Sequence, residues 1–243
     1  MKRKLFIFVT LFVALGLNAQ EASKANRWPS FLTQKDLPDA TKFIPAPPDT
    51  SSIAYLNDFN RYHWGRSMRN TARGKQAVCD ASVDIDSVLQ GFSAAFGMPI
   101  TKASMPELHY LMHRVENDAS LSVRGAKKKY MRKRPYVQFG EATSVPNDEE
   151  ELRNTGSFPS GHTARGWAMA LVLAEINPER QDDILLRGYE YGESRVIAGF
   201  HYQSDVDAAR LAASAAVARL HADAAFCKQL DKAKKEFARL KKK

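Results

Sequence analysis

Past its first nineteen residues the chain has no apolar run approaching the ~20 residues that a membrane-crossing helix needs, which disfavours an enzyme built among spanning helices. Cysteine is scarce. Cys79 and Cys227 are the only two in 243 residues, so a multiply stapled scaffold is excluded, while one disulfide between them stays compatible with an oxidising compartment. No segment alternates apolar and polar residues for long enough to make a strand, and there is no internal repeat. Histidine, cysteine and carboxylate residues nowhere fall at the spacing of a zinc or two-metal carboxylate site, so neither a metal nor another cofactor is expected.

What is present begins with a secretory signal over residues 1–19. Lys2, Arg3 and Lys4 precede an apolar run from Leu5 to Leu17, and Ala19 suits cleavage. The mature product is therefore expected to be periplasmic or secreted and not inserted in a membrane. Loss of those three cations takes the net charge from +9 to about +6, which favours anionic partners by steering. Residues 20–50 are polar, with Pro45, Pro47 and Pro48 favouring an extended arm over the domain. Residues 51–243 are expected to form one all-α domain, a helical bundle with its chemistry at helix ends and loops.

Helix spacing is clear at Val83, Ile85, Val88, Leu89, Phe92 and Phe96. Asn177 before Pro178 predicts an N-cap for a helix running towards Val196, and Ser204 with Asp207 predicts a capping box for 205–222. A lysine-rich helix closes the chain.

Three separated clusters carry the chemistry. Lys127 and Arg134 are seven apart, two turns of a helix, so on one helix they would project from one face towards a shared anion, with Pro135 ending it. Alone, the basic run 127–134 would be a solvated or nucleic-acid-binding patch. Pro159-Ser160-Gly161-His162 precedes an apolar helix, where free backbone N–H groups and the helix dipole suit an anion. In the third cluster Arg195 can grip phosphate with two N–H groups, while Asp205, four residues after His201, can reach its Nδ1 and leave Nε2 to attack. His63, His109, His113 and His221 have no such company and are read as structural.

In this order the clusters resemble the signature of the type 2 phosphatidic acid phosphatase (PAP2) and vanadium haloperoxidase superfamily, K-x6-RP, then PSGH, then SR-x5-H-x3-D, complete at every defined position. Within it, Lys127 to about Phe237, including Ser-Asp-Val-Asp-Ala-Ala-Arg at 204–210, is similar to the bacterial class A non-specific acid phosphatases. The resemblance implies that fold, and phosphate binding by Lys127, Arg134, Ser160, Gly161 and Arg195. It leaves Lys128, Lys129, Arg132 and Lys133 as surface. The expected catalytic groups are His201 as nucleophile, His162 as acid and Asp205 as orienter, in a metal-independent hydrolysis of phosphate monoesters through a phosphohistidine. Many such relatives carry a cysteine pair at positions matching Ser144 and Ala198, and here both are lost together.

Expected partners are small phosphate monoesters, nucleotides among them, rather than nucleic acid. Relatives form homodimers and larger assemblies, and the sequence leaves this chain's state open. Alternatives on the same site are an apyrase-like nucleotide diphosphohydrolase or a vanadium haloperoxidase; a secreted basic binding protein is the non-enzyme alternative. The leaving-group pocket is expected near Tyr62, Trp64 and residues 101–125.

Overall fold

The computed structural model of the chain describes residues 28–242, so the expected signal peptide at 1–19 lies outside the described residues. Among these, regular structure is entirely helical, with eleven α-helices, three short 3-10 turns and no strand. The all-α class expected from the sequence is the one the chain adopts.

The bundle is organised around α8 (Gly161–Ile176), which packs against α4 (Pro106–Ser122), α9 (Gln181–Ile197) and α10 (Gln203–Leu220). Ala164, Ala168, Met169, Ala170, Val172 and Leu173 are all buried, and a helix apolar on nearly every side finds its minimum at the centre of a bundle. Contact with α9 is close because two glycines permit it. A Cβ at Gly166 would lie 2.1 Å from Tyr191 Cδ1, and one at Gly188 would lie 2.3 Å from Ala170 Cβ.

On α4, Leu108, Leu111, Met112, Val115 and Ala119 form the buried stripe. The opening N–H groups of that helix have no local side-chain cap. Glu236 of the closing helix α11 (Ala224–Lys241) supplies one, accepting from Glu107 N at 3.2 Å and Leu108 N at 3.0 Å. The lysine-rich α11 turns Phe226, Leu230, Ala233 and Phe237 inward and docks along α4. Helix α3 (Ile85–Phe96) buries Ile85, Val88, Leu89, Phe92 and Phe96, while Val83 precedes the helix and is exposed.

Residues 28–52 contain no α-helix and are tied to α4 by polar contacts. The Asp118 carboxylate accepts from Phe31 N and Leu32 N, each at 2.9 Å, and Arg114 donates to the carbonyls of Pro29 and Ser30 at 2.9 and 3.0 Å. Leu32, Leu37, Ala40 and Ile44 join the main core.

Two caps differ from expectation, both because a distant partner outcompetes a local one. The Asn177 side chain makes no cap but donates to Phe96 O at 2.8 Å. A 3-10 turn, Pro178–Arg180, then precedes α9. α10 starts at Gln203, with Asp205 accepting from Tyr202 N at 2.9 Å, whereas the Ser204 hydroxyl is drawn 2.6 Å to Asp58. Cys79 and Cys227 are both free thiols, so the disulfide that composition allowed does not form.

Candidate active site

A cleft of about 710 Å³ opens at one end of the bundle, and Lys127, Arg134, Gly161, His162, Arg195 and His201 all line it. Lys127 lies on α5 (Arg124–Tyr130), but Arg134 does not share that helix, as the two-turn spacing predicted. The helix ends in a left-handed residue, Met131 at φ 42°, and Arg134 is extended at the mouth of a new short helix, α6 (Pro135–Phe139). Pro135 starts a helix there instead of ending one, because its fixed φ suits a first turn. The two cations converge because the chain folds back between them, against Gly156. The Lys127 ammonium donates to Gly156 O at 2.7 Å, and a Cβ at Gly156 would come within 3.0 Å of Lys127 O.

Arg134 is 3% exposed and held by the Leu152 carbonyl at 3.0 Å and the Thr155 hydroxyl at 2.9 Å. It also donates to Phe200 O at 3.2 Å, next to His201. Ser157 N donates to Arg132 O at 2.8 Å and Ser160 N to Asp205 O at 2.9 Å, so backbone bonds lock the three clusters together.

Ser160 caps α8, its hydroxyl oxygen accepting from Thr163 N at 3.2 Å and Thr163 Oγ1 at 2.9 Å. Both the hydroxyl oxygen and the residue are wholly buried, and the cleft wall at this point is Gly161. His162 is stacked on Tyr191, with ring centroids 4.5 Å apart and planes 9° from parallel. Its Nε2 lies 2.5 Å from the Asp80 carbonyl, which can only accept, so the proton sits on Nε2. Nδ1 keeps the lone pair, with Arg165 at 3.4 Å. Asp80 is in turn held by Arg187 and by the Ser194 hydroxyl at 2.6 Å.

His201 has the opposite tautomer. Nδ1 faces Asp205 Oδ2 at 3.3 Å, a long contact of the kind that tightens on substrate binding, and Nε2 receives the Arg134 guanidinium at 3.2 Å. Arg195 lies over the Phe200 ring at 4.4 Å, yet its buried Nε and one terminal nitrogen have no hydrogen-bond partner. A buried guanidinium with unmet N–H groups beside the cleft is a strong anion receptor.

The charges disturb one another as a cation cluster should. Burial, and then the Arg134 charge, bring the Lys127 ammonium down to about 7, with Asp205 opposing. Burial lowers Arg195 to about 10. Both imidazoles are pushed well below their ordinary value, first by burial and then by cations: Arg195 and Arg165 for His162, Arg134 and Lys127 for His201. An anion in the cleft would relieve all of these at once.

Every residue named from the motifs thus meets at this cleft or directly behind it, but three details of the sequence reading need correction. Arg132, assigned to the surface with its lysine neighbours, has a side chain only 10% exposed and bridges the wholly buried Asp58 and Asp205, each at 2.7 Å. Nothing in a basic run distinguishes it from Lys133. Tyr62 and Trp64 do not line the cleft. Tyr62 is buried with its hydroxyl on Glu141 at 2.7 Å, and Trp64 lies under Arg61. The walls come from 78–84, 120–124 and 145–155, so only Ser120, Val123 and Arg124 belong to the segment expected. Asp58, Asp80 and Tyr191 lie outside the motifs and join the site through tertiary contacts that no local spacing signals. His63, His109, His113 and His221 stand apart from the cleft. Among the described residues no group of His, Cys, Asp and Glu is arranged to hold a metal ion, and no helix is long and apolar enough to cross a membrane.

Comparison with known proteins identifies the family. Residues 119–226 match the family model described as the PAP2 superfamily, a span holding every site residue from Lys127 to Asp205. The chain is 50% identical over 238 residues to a protein of Providencia stuartii named non-specific acid phosphatase, covering 98% of this chain and 95% of that one. It is 38% identical over 235 residues to a Salmonella typhimurium protein of the same name, covering 96% and 92%. It is also 35% identical over 198 residues to an acid phosphatase of Zymomonas mobilis, covering 82% and 75%. With its complete signature at the cleft and identity of this extent, the chain belongs to the PAP2 superfamily, among its bacterial class A non-specific acid phosphatases.

Proposed function

We propose that the chain hydrolyses phosphate monoesters without a metal, through a phosphohistidine, as an exported enzyme. The observation that carries this reading is Arg195, whose two buried, unpartnered nitrogens lie beside a cleft that it lines with Lys127, Arg134 and two histidines of opposite tautomer. Two buried guanidiniums and the half-buried Lys127 ammonium without an anion are costly, and a phosphoryl group is the ligand whose oxygens match them. The Gly161 N–H and the one hydrogen of the Ser160 hydroxyl add donors at the positive end of α8.

His201 Nε2 carries a lone pair, which is freed when Arg134 turns its N–H from that nitrogen to the phosphate oxygens. It attacks phosphorus, and the bond to the leaving oxygen breaks in line. The departing electron pair takes the proton from Nδ1 of His162, because Nε2 stays committed to Asp80 O. General acid help of this kind contributes roughly 10²–10⁴-fold. In the second half, Nδ1 takes a proton from water as its oxygen attacks phosphorus, and the P–N electrons return to His201. Asp205 holds Nδ1 of His201 throughout and balances the cationic ring. The incoming anion raises the proton affinity of His162, so the acid is charged when it is needed.

The test is a rapid quench that avoids acid during turnover of a chromogenic monoester. It should trap an acid-labile phosphoprotein in wild type and none in His201→Ala. His162→Ala should still form it from a substrate with a good leaving group. Label on serine or aspartate would refute the nucleophile, and activity lost to EDTA and restored by a divalent ion would refute metal independence.

A further inference from the structure

Arg132 is a buried cation that the mechanism above does not use. Its two terminal nitrogens donate to different carboxylates, one to Asp205 Oδ1 and the other to Asp58 Oδ2, both at 2.7 Å. Its guanidinium lies 4.0 Å over the Tyr202 ring, which fixes the plane of the fork. Asp58 comes from α1 (Ile53–Met68), far from the motifs, and is wholly buried. It also accepts from Ser204 N at 2.8 Å and from the Ser204 hydroxyl at 2.6 Å, so it is anchored at the first turn of α10.

We propose that Arg132 and Asp58 are positioning residues for hydrolysis: Arg132 holds the Asp205 carboxylate against His201, and Asp58 neutralises Arg132 so that Asp205 keeps its negative charge for the imidazole. This rests on the assignment of His201 as nucleophile. With two oxygens to place, Asp205 has three donors around it: Arg132 on Oδ1, and Tyr202 N and His201 on Oδ2. Removing Arg132 frees the carboxylate to rotate, since the two donors that remain, Tyr202 N and His201, both sit on Oδ2 and leave Oδ1 unheld. The charge argument is separate. Asp58, Arg132 and Asp205 together carry a net charge of minus one. That charge faces a ring that becomes cationic when phosphorylated on Nε2 with Nδ1–H retained. If Asp58 were neutral, Arg132 would cancel Asp205 and the cationic intermediate would lose its counter-charge.

The experiment is a double-mutant cycle on hydrolysis of a chromogenic monoester, with vanadate affinity measured in parallel. Arg132→Gln should lower kcat about 10- to 100-fold, the size seen for groups that orient a working histidine from outside, with KM and vanadate affinity within about 3-fold of wild type. In an Asp205→Asn background the same substitution should have almost no further effect. Arg132→Lys, which keeps the charge but not the fork, should recover kcat in part, and it serves as the folded reference if the glutamine variant is unstable. Asp58→Asn should lower kcat with KM held, although it keeps the volume and one acceptor.

Equal effects of Arg132→Gln in both backgrounds, or a loss of vanadate affinity to match the loss of kcat, would overturn the positioning role. An unchanged kcat in Asp58→Asn would overturn the charge role. Phosphate trapped on a residue other than His201 would sink the nucleophile assignment, while coupling between Arg132 and Asp205 would still be read from the cycle.

Discussion

On the proposed mechanism Lys127 and His162 should set the pH dependence, and in the same direction. With its ammonium lowered to about 7, Lys127 is charged below that pH and loses its charge as pH rises through it, so if it grips phosphate as proposed, binding should weaken on the alkaline side. His162, held well below its ordinary value, is mostly neutral in the free protein near neutrality, so the proton it gives must arrive with the substrate, whose second pKa is about 6. His201, pushed down as well, stays neutral and nucleophilic into the acid range. The rate should therefore be bell-shaped with its maximum below pH 7, checked by kcat/KM against pH, and a maximum above about pH 8 would contradict it. The two residues separate on mutation. His162→Asn should flatten the alkaline limb of kcat for poor leaving groups, with vanadate affinity kept. Lys127→Arg, a cation that does not titrate here, should remove the rise of KM through about pH 7.

At the scale of elements, the close approach of α8 and α9 links stability to chemistry. Gly166→Ala would drive a methyl into the Tyr191 ring, and that ring is the stacking partner of His162. The substitution should cost about 1–3 kcal/mol in denaturant unfolding and also lower kcat, whereas a purely structural glycine would leave the activity of the folded fraction unchanged. The N-terminal strap gives a second test. Asp118→Ala leaves Phe31 N and Leu32 N without their acceptor, which should destabilise by on the order of 2–4 kcal/mol and make residues 28–44 sensitive to protease. Burial raises the Asp118 carboxyl to about 6 from an ordinary 3.8. The folded form thus holds the proton more tightly, and the stabilisation this confers is present below about pH 4 and lost as pH rises through about 6. Wild-type Tm measured relative to Asp118→Ala should fall over that window.

On the scale of the whole molecule, the turn that follows Arg195 and carries His201 is tied to the 140–155 segment by a backbone bond and by the apolar cluster of Ala198 and Phe200 with Val145 and Leu152. Ser144 N donates to Ala198 O at 3.0 Å, so the backbones lie side by side at the two positions where the family resemblance implies a cysteine pair in relatives. Replacing both by cysteine should give a cross-link that raises stability by up to about 4 kcal/mol through the chain it closes. Thiol titration and Tm with and without reductant would check it, and a variant with four free thiols under oxidising conditions would contradict it. Because Thr155 and Leu152 hold Arg134 from the same segment, the cross-link should leave KM unchanged.

Helix periodicity and the order of the motifs were enough to read the helical class and the membership of Lys127, Arg134, His162, Arg195, His201 and Asp205 in one site. Those properties depend on local spacing and on residue chemistry that few other side chains can supply. The site's supports were not legible. Arg132 looks like any cation of its run until Asp58 arrives from α1, and Asn177 and Ser204 look like caps until Phe96 O and Asp58 claim them. Nor could spacing show that Lys127 and Arg134 meet across a left-handed break rather than along a helix. A buried polar group must find a partner somewhere, and which partner it finds depends on the packing of elements distant in the chain, a matter of tertiary structure that no local pattern records.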